Sequence, residues 1–127
     1  MIGILLITHG TVGEALIQCV CHVLNRRPPQ LMHFGLSGQD DPLDALPFAR
    51  RLVDLVDGGD GVMILTDILG GSPSNLTAKL LESGQVVGVA GVNVPMLLRV
   101  ITYRERGMDV LLKKAIAGAC EGVVQMK

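Results

Sequence analysis

Met1-Ile-Gly-Ile-Leu-Leu-Ile-Thr-His-Gly-Thr-Val-Gly-Glu14 decides the fold. From Ile2 to Ile7 the residues are apolar at successive positions, so both faces of a strand there are buried, as in a parallel strand covered by helices. The run stops at Thr8-His9-Gly10. Thr11 and Glu14 then have the spacing of a capping box, with Thr11 capping the first free amides and Glu14 reaching back. A helix is expected from Gly13 to Leu24, ended by Asn25-Arg-Arg-Pro-Pro29.

The same alternation continues downstream. Gln30 to Gly35 reads as a second strand, and Asp41-Pro42 as an N-cap with proline at the first helical position. That helix runs toward Asp57 with Leu43, Leu46, Leu52, Val53 and Val56 as its buried stripe, while Pro47 predicts a kink or a late start. Val62 to Thr66 is a third strand, followed by Asp67-Ile-Leu-Gly-Gly-Ser-Pro-Ser-Asn75 and a short helix through Leu81. Val86 to Val92 is a fourth strand, and Asn93-Val-Pro95 starts another helix. Asp109 is expected to cap a last helix ending near Cys120, and Val123 to Met126 to form a small edge strand. Strands and helices in alternation imply an α/β fold: a three-layer, open, doubly wound, mostly parallel sheet with helices on both faces. A chain of 127 residues suits one core, so residues 1–127 are read as a single domain.

Composition narrows the function. With 2% aromatic residues, Leu, Val, Ile, Met and Ala must fill the core. Eleven basic against 12 acidic residues leave a net charge of -1, with no phosphate-neutralising surface and no stacking platform, which argues against nucleic acid. The first strand has no basic lead-in, and no stretch has the roughly 18 apolar residues of a membrane span, so a cytoplasmic protein without membrane insertion is expected. Cys19, Cys21 and Cys120 are read as reduced thiols, and Cys19, Cys21 and His22 fall on diverging helix faces. No metal and no cofactor are expected.

In a parallel sheet, sites form at the carboxyl edge, where neighbouring crossovers leave in opposite directions. His9 ends the first strand and Asp67 follows the third, so neighbouring strands would bring the two side chains together. A carboxylate accepting from one ring nitrogen fixes the tautomer and leaves the other nitrogen a lone pair, as a base or nucleophile requires. Ser72, read as an N-cap ahead of Pro73, together with Gly70 and Gly71, directs free amides toward that edge, and the amides around Gly10 face it from the first loop. Two helix starts facing one histidine suit a phosphoryl group. Ser72 and Ser74 are also candidate nucleophiles for a small hydrolase, although no Gly-x-Ser-x-Gly elbow is present. His22 and His33 have no acidic companion, and Arg50, Arg51 and Arg99 are candidate rim charges.

Ile7-Thr-His-Gly10 with Glu14, Thr66-Asp67 with Gly70-Gly-Ser-Pro-Ser-Asn75, and Ala90-Gly-Val-Asn-Val-Pro-Met-Leu97 stand in the order found in a known family. Across nearly the whole chain the sequence resembles the IIA component of the mannose family of the sugar phosphotransferase system. The resemblance implies a cytoplasmic homodimer with an exchanged C-terminal strand. It implies that His9 accepts a phosphoryl group from the phosphocarrier protein HPr and passes it to a IIB component, here a separate protein. Asp67 then orients the imidazole, and Gly10, Thr66, Gly70, Gly71 and Ser72 surround the phosphoryl group. A module whose phosphorylation state regulates a partner is the alternative within this family.

Overall fold

The computed structural model describes residues Met1–Lys127. The apolar run forms β1 (Gly3–His9), with β2 (Leu31–Leu36) and β3 (Val62–Thr66) on its two sides and β4 (Val86–Ala90) outside β3. All three pairings are parallel, in the order β2-β1-β3-β4. Because successive strand residues point to opposite faces, β1 feeds two cores. Ile4 and Leu6 pack with α1 (Val12–Leu24), α4 (Val94–Tyr103) and α5 (Met108–Glu121). Leu5 and Ile7 pack with α2 (Pro42–Val56) and α3 (Ser72–Ala78) on the other face. All four β1 side chains are fully buried, each contributing about 1.5–3 kcal/mol of apolar transfer. The expected three-layer arrangement is present, and the crossovers diverge between β1 and β3.

Several local expectations are corrected. Thr11 sits at the N-cap of α1 but its side chain caps nothing, because its backbone (φ -100°, ψ 12°) is not the extended conformation a capping side chain needs. Instead Thr8, at the end of β1, reaches over and accepts from the Gly13 amide at 2.8 Å. α2 begins at Pro42, with the Asp41 carboxylate accepting from the Leu43 amide at 2.9 Å, and continues through Pro47. Pro47 withholds a donor from the Leu43 carbonyl, and Leu43 is itself exposed rather than part of the buried stripe. α3 is capped at Gly71, not Ser72, and ends at Ala78 instead of Leu81.

β4 stops at Ala90, because the Gly91 and Val92 amides both turn to the Thr66 carbonyl, each at 2.9 Å, and Gly91 takes a positive φ of 92°. α5 has Gly107 at its N-cap, leaving Asp109 inside the first turn. Val123 to Met126 form no strand within the chain, and Val123, Val124 and Met126 are exposed. No helix is long and apolar enough to cross a membrane.

Candidate functional site at the carboxyl edge

The register pairs Ile7 of β1 with Thr66, the last residue of β3, so Asp67 leaves the sheet beside the end of β1, which continues along β2 to His9. That juxtaposition brings together His9 and Asp67, 58 positions apart. Asp67 Oδ2 accepts from the His9 amide at 3.0 Å and lies 2.9 Å from His9 Nδ1. The other carboxylate oxygen accepts from the Ile68 amide at 3.1 Å. Burial acts to raise the Asp67 pKa, but the His9 amide, the imidazole and its own backbone together outweigh it and hold the carboxyl below 3.8. An ionised carboxylate only accepts, so the proton between the two groups belongs on Nδ1. Nε2 is left with its lone pair and no partner in the chain.

The imidazole is half exposed (48%) while Asp67 is mostly covered (17%), so the carboxylate is sheltered and the ring it holds is open to solvent. Gly71 lies against the ring: a Cβ there would come within 2.8 Å of Cε1 and 3.1 Å of Nε2. Only glycine permits that approach. The Gly71 and Ser72 amides have no acceptor in the chain, whereas the Gly70 amide donates to Ser74 Oγ at 2.8 Å. Gly70 thus brings to the turn a positive φ (97°) and no free donor.

On the other side, Gly10 (φ 49°) follows the histidine, and its amide donates to the Leu36 carbonyl at 2.8 Å. A side chain on Gly35 would run into the Gly10 carbonyl, so β2 carries a glycine where the loop crosses it. Thr66 is buried at the end of β3 with its hydroxyl unpartnered. His22 and His33 stand apart, with no hydrogen bond to the site. Arg99 pairs with Glu121 at 3.1 Å, joining α4 to α5, and Arg50 donates to the Lys79 carbonyl. Arg51 is exposed on α2 without a recorded partner.

Thr8 escaped the sequence reading of the site, and Ser74 was read there as a candidate nucleophile and not as a support. Thr8 anchors the helix that follows His9, and Ser74 holds the Gly70-Gly71 turn. The only signal in the sequence was a hydroxyl residue flanking each glycine turn. Neither Ser72 nor Ser74 bonds to His9, and the Ser74 hydroxyl is already engaged, so no serine–histidine dyad exists. No three His, Cys, Asp or Glu side chains form a metal-binding set. His9 lines no cleft: clefts of about 270 and 400 Å³ lie at the opposite edge around Met1 and Arg104, one of about 410 Å³ lies between Phe34 and Phe48, and one of about 140 Å³ sits beside the site along Thr66, Leu69 and Ser74. A half-exposed imidazole that lines no cleft suits a reactant delivered by another macromolecule better than an enclosed small substrate.

The family described as PTS system fructose IIA component matches residues 3–116. The mannose-specific EIIAB component of Escherichia coli K12 is 28% identical over 99% of this chain, which spans 40% of that relative's length. In fold, the chain is similar to the mannose/sorbose specific IIA subunit of Enterococcus faecalis, with a TM-score of 0.86 at 16% identity over 99% of this chain and 95% of that one. It is likewise similar to component EIIA from Streptococcus agalactiae, with a TM-score of 0.85 at 22% identity over 98% and 97% of the two chains. The matched span of 3–116 contains the strand ends, both glycine turns and the His9–Asp67 pair, and the chain belongs to the mannose-type IIA-component family of the sugar phosphotransferase system.

Proposed function

We propose that His9 is the phosphoryl carrier of a cytoplasmic relay, charged by phosphorylated HPr and discharged to a IIB component. The observation that carries this reading is a half-exposed histidine with Nδ1 held 2.9 Å from Asp67 and Nε2 without a partner in the chain. The Nε2 lone pair attacks the phosphorus of the donor's phosphohistidine. The new Nε2–P bond forms as the donor's N–P bond breaks, and the donor imidazole leaves with the electron pair. His9 keeps its Nδ1 proton throughout, and Asp67 balances the positive charge that develops on the ring. The same step in reverse, with a IIB acceptor, discharges it.

The Gly70, Gly71 and Ser72 turn receives the phosphoryl oxygens, supported by the free amides of Gly71 and Ser72, with Gly10 and Thr66 at the adjoining strand ends. Residues 1–127 act as one unit in this reading. A homodimer in which Val123 to Met126 of each copy pairs with the other fits the exposed apolar tail and the outer edge of β4, whose one partner is the bridge from Val86 to Glu82.

The test is intact-mass analysis after incubation with phosphoenolpyruvate, enzyme I and HPr. The wild type is expected to gain one acid-labile phosphoryl group and His9→Gln none, with similar thermal midpoints. Phosphorylation retained in His9→Gln contradicts the proposal.

A further inference from the structure

Ser74 plays no part in the relay as described, yet its hydroxyl makes two bonds within the turn that touches His9. Oγ accepts from the Gly70 amide at 2.8 Å and donates to the Gly71 carbonyl at 3.0 Å. Two consecutive glycines, one of them at φ 97°, otherwise have wide conformational freedom. Tying both to one hydroxyl removes much of it.

We infer that Ser74 is a positioning residue for transfer at His9, acting by holding the Gly70-Gly71 turn against the imidazole. The inference rests on the relay proposed above. Ser74 makes no hydrogen bond to the imidazole. Its influence passes through Gly71, whose α-carbon packs so close to Cε1 and Nε2 that a Cβ would collide with the ring. Where the turn sits determines how near the unbonded Gly71 and Ser72 amides come to a group on Nε2. A residue that merely started α3 would need one backbone bond. Ser74 instead bridges the two residues before the helix, and its bond to Gly70 removes that amide from competition with the other two.

Single-turnover transfer from phosphorylated HPr to the full chain, measured across HPr concentrations, separates positioning from binding. Ser74→Ala is expected to lower the maximal rate about tenfold, the size of effect that misplaced reacting groups produce. The half-saturating HPr concentration is expected to stay within about twofold, as for loss of an interaction made only in the transition state. The thermal midpoint should fall by only about 4–8 °C, as for loss of a helix cap. Ser74→Thr keeps the hydroxyl and is expected to restore the rate and the slow exchange of the Gly70 amide. A wild-type maximal rate in Ser74→Ala overturns the inference. So does a reduced rate that Ser74→Thr fails to restore although its Gly70 amide exchanges as slowly as in the wild type. Wild-type protein that takes up no phosphoryl group on His9 from demonstrably phosphorylated HPr overturns the relay itself, and the inference with it.

Discussion

The two edges of the sheet treat a charged side chain in opposite ways. At the amino edge Arg104 is 4% exposed, and its guanidinium donates to the carbonyls of Ile2, Pro29 and Gln30 at 2.7–2.9 Å. Burial lowers its pKa, with Glu105 opposing and Arg26 reinforcing, and no carboxylate bonds to it. At the carboxyl edge His9 is half exposed, with one nitrogen beside Asp67 and the other free. Arg104 ties the start of β1 and the approach to β2 onto the end of α4. His9 is held just firmly enough to aim its remaining lone pair. The difference lies in spare bonding capacity: a group tied to backbone from several sides holds a fold together, whereas a group bonded on one side can react on the other.

Breaking the amino edge should have the larger effect on stability. Arg104→Leu leaves three carbonyls without their side-chain donor and is expected to cost about 3 kcal/mol, measured by urea unfolding. The folded fraction should still phosphorylate at the wild-type rate. A rate falling in proportion to stability would show that the two edges are not independent.

Asp67→Asn alters the other edge with a smaller effect on stability. An amide can present its NH2 to Nδ1 and favour the wrong tautomer, so the transfer rate is expected to fall by about 10- to 100-fold. Its pH signature follows from the depressed carboxyl. Because the folded Asp67 holds its proton less tightly than the unfolded chain, its ionised form adds stability that is fully present above the ordinary value of 3.8. That contribution is lost as pH falls below 3.8 through the folded value. Unfolding curves of wild type and Asp67→Asn should therefore converge as pH is lowered through this range. A constant gap down to complete protonation would remove Asp67 as the source.

Much of this contrast was legible in the sequence on one edge only. The doubly apolar β1 and the residues that punctuate each strand announced the parallel sheet, and the ends of β1 and β3 marked where His9 and Asp67 would meet. Burial on both faces of a strand leaves a direct trace in composition. Capping does not: Thr11 and Thr8 are equally plausible caps in a string of letters, and only the path of the chain after His9 favours Thr8. The same holds for Ser72 and Ser74, two hydroxyls separated by one proline. Arg104 left no sequence signal, since its partners are backbone carbonyls up to 102 positions away, and carbonyls look alike in every residue.

In the proposed relay Asp67 occupies Nδ1 of His9 and leaves Nε2 to react. Nuclear magnetic resonance of the phosphorylated protein, with the histidine ring nitrogens labelled with nitrogen-15, reads the attachment site directly through nitrogen–phosphorus coupling. Coupling to Nε2 of His9 is expected, with the Nδ1 proton retained. A phosphoryl group on Nδ1 would contradict it.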